Sequence, residues 1–169
     1  MKENKKCLFI SYLMSDVQAE FVFKADPVPA VQTLKFGRSI FRMLSKSFAN
    51  IDTVGFCPIQ DYPIGKKLIF GYSKSIIKER KSYTLPFLNF LGGKHLTRLL
   101  SMFIFMCQYL IKNRESVIII HGLHSPYLII GYILQLLNYK VGVIVTDESS
   151  ILQPSDSWLK KKLKLIDSF

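Results

Sequence analysis

The sequence predicts an α/β domain built on an open, mainly parallel sheet flanked by helices. Three observations carry this expectation. The run Glu115-Ser-Val-Ile-Ile-Ile-His121 is rich in consecutive β-branched residues, as a strand buried on both faces requires. Lys140 to Thr146 is a second such run, and the stretch between the two is helical in pattern, so His121 to Asp147 reads as strand, helix, strand. A unit of that kind is parallel and right-handed in nearly all folds, and the same alternation recurs upstream.

Each element follows from its local pattern. Cys7 to Leu13 is a short, apolar, β-prone run. Met14 to Val31 reads as a long loop, because Pro27 and Pro29 exclude a regular helix. From Gln32 onward, Leu34, Ile40, Phe41, Leu44 and Phe48 recur near helical spacing with Lys35, Arg38, Arg42 and Lys46 opposite, which gives a helix of about four turns. Asp52 to Cys57 is a second strand stopped by Pro58, and Ile59 to Lys67 is a polar loop. Lys67 to Tyr72 and Tyr83 to Leu88 are further β-prone runs, separated by the charged stretch Lys74 to Ser82. Gly93 to Asn113 is an apolar helix with Lys94, Arg98 and Lys112 near its ends. Ser125 is placed to cap, and Pro126 to open, a helix over Tyr127 to Asn138. Lys140 to Thr146 is expected to be a buried strand. Ser157 to Phe169 sets Trp158, Leu159, Leu163 and Ile166 near one face and Lys160, Lys161, Lys162 and Lys164 on the others, a basic amphipathic helix. The whole reads as a single Rossmann-like domain over residues 1–169, with 157–169 its terminal helix.

Composition narrows the function classes. With 49% apolar residues the chain is too hydrophobic for a disordered tail. Lys and Arg outnumber Asp and Glu 23 to 12, a formal charge of +11 that draws the protein towards anionic surfaces. Basic residues concentrate over Lys66 to Lys81 and Lys160 to Lys164, with Phe70, Tyr72, Tyr83, Phe87 and Phe90 in and after the first group. No nucleic-acid motif accompanies them, so Lys78, Arg80, Lys81, Lys160, Lys161 and Lys162 are assigned to an anionic membrane surface, and nucleic acid is not the expected partner. Leu99 to Ile111 and Tyr127 to Leu137 fall short of the roughly 18 to 20 residues a bilayer crossing needs, which makes a soluble or peripheral cytoplasmic protein the expectation. Cys7, Cys57 and Cys107 lie far apart in apolar stretches and read as buried thiols rather than a metal site.

Ligands of open α/β sheets gather beyond the carboxyl ends of the strands, which directs attention to two loops. In His121-Gly-Leu-His-Ser-Pro126, two histidines three apart precede a helix N-terminus whose free amides favour an anion. His124 is the candidate for hydrogen bonding to a phosphate or hydroxyl or for general base work, and His121 has the alternative of a hydrogen bond inside the sheet. In Thr146-Asp-Glu-Ser-Ser150, Asp147 is placed to orient a hydroxyl or act as base, with a turn cap as the alternative. Ser125, Ser149, Lys94 and Arg98 are candidates for acceptor or phosphate binding, although Gly92-Gly93 also fits a plain turn. No Gly-x-Gly-x-x-Gly, Walker loop, Gly-x-Ser-x-Gly elbow or His-Glu-x-x-His helix is present, which removes the main support for nicotinamide, nucleotide-hydrolysing, esterase and zinc-protease readings.

The order of these pieces resembles the N-terminal, acceptor-side half of a GT-B glycosyltransferase of the family 4 kind. The resemblance rests on Cys7 to Leu13, on Pro29-Ala-Val-Gln-Thr-Leu-Lys-Phe36 entering the first long helix, on Val117-Ile-Ile-Ile-His-Gly-Leu-His-Ser-Pro126, and on Val141-Gly-Val-Ile-Val-Thr-Asp147. It implies transfer of a sugar from a nucleotide-sugar to a lipid-linked or polysaccharide acceptor, with no cofactor beyond that donor and no metal demanded. It also implies that the donor is gripped mainly by a C-terminal domain or separate catalytic subunit, so this chain alone is expected to be inactive. Two departures stand out: Ser11-Tyr-Leu-Met-Ser-Asp16 replaces the usual glycine-rich loop, and Asp147 occupies a strand end where many members place His. The catalytic role is thereby open between Asp147 and the pair His121 and His124. The alternatives are a non-catalytic membrane-recruiting subunit and an unrelated α/β module for a phospho-ligand or nucleic acid.

Overall fold

In the computed structural model, which describes residues 3–145, six strands form one mixed, mainly parallel sheet in the order β4-β5-β2-β1-β7-β8. The elements are β1 (Glu3–Ile10), α1 (Asp16–Ala25), α2 (Val31–Ser47), β2 (Phe48–Gly55), β3 (Ile69–Phe70), β4 (Ser73–Ile77), β5 (Arg80–Thr84), β6 (Phe87–Leu88), α3 (Gly93–Lys112), β7 (Val117–His121), α4 (Ser125–Leu136) and β8 (Val141–Ile144). Strands β5, β2, β1, β7 and β8 run parallel, and β4 adds an antiparallel edge. The chain builds outward from β1 in one direction, then crosses back to β7 and continues in the other. The strand order therefore reverses at β1, the topology that opens a crevice at the carboxyl ends of neighbouring strands.

Period-two alternation along β1 divides the core between the two faces of the sheet. Cys7 and Phe9 point to one side with Ile40 and Phe41 of α2, while Leu8 and Ile10 point to the other with Met102 and Met106 of α3 and Ile130 of α4. All four β1 side chains are fully buried, and β7 contributes Ile118 and Ile120 to the second face. Inside α3, the Tyr109 hydroxyl donates to Asp52 of β2 at 3.0 Å, and Lys6 pairs with the same carboxylate at 2.9 Å.

Four local expectations are corrected. Met14 to Val31 contains helix α1, which ends at Ala25, before Pro27 and Pro29 act. Ser15 caps it in a capping box with Gln18, which satisfies free backbone donors of the first turn. The charged stretch Lys74 to Ser82 is a β-hairpin, β4 to β5, closed by Lys78 and Glu79, both at positive φ. That is the backbone demanded of a two-residue hairpin turn, here made without glycine. Strand β8 is a sheet edge rather than a strand buried on both faces, with Val143 47% exposed. Cys107 is exposed on α3, whereas Cys7 and Cys57 are buried free thiols.

Candidate functional site at the strand tips

The tips of β1 and β7 are adjacent, because Ile10 pairs with Ile120. One residue further on, Ser11 Oγ and His121 Nδ1 share a hydrogen bond of 3.0 Å, and both groups are buried. Gly37 of α2 makes room there, since a Cβ at that position would stand 3.0 Å from Ser11 Oγ and 3.8 Å from His121 Nδ1. His121 thus takes the in-sheet alternative. Burial lowers its proton affinity, so the ring is neutral at pH 7.

Past His121 the chain turns at Gly122, whose φ of +89° suits glycine. The turn presents His124 edge-on to Tyr12, with ring centroids 4.3 Å apart, and to Tyr127 at 5.9 Å. His124 itself occupies the N-cap position of α4, so Ser125 is the first helical residue rather than the cap. Burial first, then the charges of Arg98, His121, His95 and Lys94, pull the His124 pKa down to about 3. A neutral imidazole results. It can offer a hydrogen bond to a hydroxyl or accept one, but in this state it is a weak base.

Beneath the rings lies Arg98, only 4% exposed. Its guanidinium donates from Nη1 to the Tyr12 hydroxyl at 3.0 Å and from Nη2 to the Cys57 carbonyl at 2.8 Å. It sits 4.3 Å from the centroid of Phe87 and 5.4 Å from that of Phe56, so aromatic faces stand where a carboxylate would be expected. Lys94, one turn earlier on α3, donates to the Ile59 carbonyl and to Asp61 Oδ1, the latter at 2.9 Å. Burial lowers its pKa first, the Arg98 charge lowers it further, and Asp61 works in the opposite direction. Both cations therefore tie α3 to the loop after β2. Neither stands open at the helix start as a phosphate site there would require, and Gly92-Gly93 is the plain turn that the sequence also allows.

The third tip, after β2, completes the floor. The Phe56 backbone N–H donates to the Tyr127 hydroxyl at 3.1 Å, and the two rings stack at 5.8 Å. Gly55 is required here, because a Cβ would fall 1.7 Å from the Ser11 carbonyl oxygen. No family model, curated protein or solved structure matches the chain.

Of the sequence candidates, His121, His124, Ser125, Lys94 and Arg98 converge on the β1 and β7 tips or on the helices behind them. Asp147, Ser149, Lys160, Lys161 and Lys162 lie outside the described residues. Lys78, Arg80 and Lys81 sit on the β4–β5 hairpin at the far edge of the sheet from α4 and β8. Sequence reasoning did not single out Ser11, Tyr12 and Tyr127 as site residues. The available signal for the first two was position alone, immediately after the first strand. Among the described residues no group of His, Cys, Asp and Glu could hold a metal ion, and no helix is long and apolar enough to cross a membrane.

Proposed function

We propose that this chain is the acceptor-binding half of a glycosyltransferase, which passes a sugar from a nucleotide-sugar to a lipid-linked or polysaccharide acceptor at the inner face of a membrane. The observation supporting it is the convergence of Tyr12, His121 and His124 where the strand order reverses. That is where open α/β sheets take ligands. A neutral imidazole suits a sugar, whose hydroxyls can hydrogen-bond to its nitrogens. His124 orients the acceptor hydroxyl in this reading, and Asp147 is the base nominated by the sequence. Charge leaving with the nucleotide diphosphate is stabilised mainly by a donor half or separate subunit that brings its own cations.

A second reading has an observation of its own. Tyr12, Phe56 and Tyr127 are all buried over the strand tips, so their rings offer a sugar little surface, and the chain then serves as a non-catalytic subunit that recruits a catalytic partner. Calorimetric titration with short oligosaccharides separates the two. Acceptor binding that weakens about tenfold in His124→Ala supports the first, on the scale of one or two lost hydrogen bonds. No saccharide binding at millimolar concentration, or sugar transfer by the purified chain alone, contradicts it.

A further inference from the structure

Helix α3 is inverted. Its sheet-facing side carries Lys94 and Arg98 ahead of Met102 and Met106, while Leu96, Leu100, Phe103, Ile104 and Ile111 face outward at 48% to 74% exposure. Ile129, Tyr132 and Leu136 of α4 continue that surface at 44% to 65% exposure. Scattered apolar side chains on a surface are ordinary, but these lie on two packed helices, and Phe103 and Ile111 line the groove between them. The groove has a volume of about 440 Å³ and is walled by Phe103, Met106 and Leu110 of α3 and by Ile130, Ile133 and Leu134 of α4. Towards the C-terminal ends of both helices, a polar cavity of about 380 Å³ shares Arg114, Leu137 and Tyr139 with it and adds Lys140 and Glu115.

We propose that this face docks on an anionic membrane leaflet, with a phospholipid acyl chain in the α3–α4 groove and its headgroup phosphate against Arg114 and Lys140. Charge selects the occupant. At this end of the two helices Lys112, Arg114 and Lys140 stand exposed beside a single acidic residue, Glu115, while Lys94 and Arg98 are turned in to the sheet. Neither Arg114 nor Lys140 forms an ion pair among the described residues. A second copy of the chain would bring like charges together, and so would the lysine-rich segment 160–164. An anionic amphiphile matches both halves of the surface, since its tail suits the groove and its head suits the cations. The proposal goes beyond the transferase reading and does not rest on it. The polar cavity lies at the Lys112 end of α3, one 20-residue helix or about 30 Å from the end beside the strand tips. It also moves the membrane face from the β4–β5 hairpin at one edge of the sheet to the α3–α4 surface.

Co-sedimentation of the full chain with phosphatidylcholine vesicles containing about 30 mol % phosphatidylglycerol, at about 0.1 M salt, tests it. Binding is expected to fall about tenfold or more in Ile104→Glu and in the double variant Arg114→Glu, Lys140→Glu, and to change less than about threefold in Lys78→Glu, Lys81→Glu. All five positions are outside the core, and unchanged far-ultraviolet circular dichroism verifies folding. The proposal is overturned by absence of vesicle binding, by loss in the hairpin variant with retention in Ile104→Glu, or by a solution dimer that Ile104→Glu dissociates. It is equally overturned if the emission of Trp158, the single tryptophan, is blue-shifted without lipid and reddens in Ile104→Glu, because the chain's own C-terminal segment then fills the groove.

Discussion

Ser11 Oγ lies 3.0 Å from His121 Nδ1, and this buried hydrogen bond joins the end of β1, where the strand order reverses, to the end of β7. Ser11→Ala deletes the bond without altering the backbone. A loss of about 1–3 kcal/mol of stability is expected, the cost of leaving a buried polar group with a partner removed. Urea unfolding at pH 7 measures it, and an unchanged midpoint would mean that water replaces the hydroxyl.

The two histidines make stability fall in acid. Burial and neighbouring cations depress His124 to about 3, and burial lowers His121, whereas an unfolded histidine titrates near 6.5. The unfolded chain therefore binds more protons below that value. Their contribution is complete above about pH 6.5 and is lost as pH falls towards 3. His124→Gln is expected to flatten the decline between about pH 6.5 and 4.5 in urea midpoints. Proton NMR of the His124 ring is expected to show no titration above about pH 5.

Arg98 couples α3 to that ring. Arg98→Met keeps much of the packing against Phe56 and Phe87 but removes the charge and the bonds to Tyr12 and Cys57. His124 is expected to titrate at higher pH in this variant, because the Arg98 charge is a cause of its depression. Arg98→Lys is not expected to restore stability, since an ammonium cannot reproduce the planar fork that reaches both oxygens. An NMR titration and a melting curve on each variant check the two statements.

Gly55 is the least substitutable position near the site. Alanine there would meet the Ser11 carbonyl oxygen at 1.7 Å, a backbone atom that cannot swing aside. Gly55→Ala is expected to cost about 3 kcal/mol or more, at the upper end of overpacking. Equilibrium unfolding measures this, and a cost below about 1 kcal/mol would show that the β1 and β2 tips separate easily.

The architecture is legible in the sequence where side-chain pattern alone determines structure. The β-branched run before His121 gives β7, and the helical spacing after Gln32 gives α2. Reading fails where one strong signal masks another. Pro27 and Pro29 forbid helix only beyond Ala25, while Ser15 and Gln18, at the three-residue spacing of a capping box, start α1 ahead of them. The β4–β5 hairpin escaped because Lys78 and Glu79 take positive φ without the Asn-Gly signature. The strand order and the partners of Arg98 depend on contacts distant in sequence. Hence position after a strand points to the histidines and equally to Ser11 and Tyr12, whereas Tyr127, inside α4, carries no such signal.

A chemical-shift map most directly tests the claim that the tips of β1 and β7 form the ligand site. Backbone amide NMR spectra of the chain, recorded through a titration with short oligosaccharides, are expected to shift at residues 11–14, 55–57 and 121–125 and to lose that response in His124→Ala. Shifts confined to α3 and α4, or no shifts at saturating saccharide, would contradict the claim.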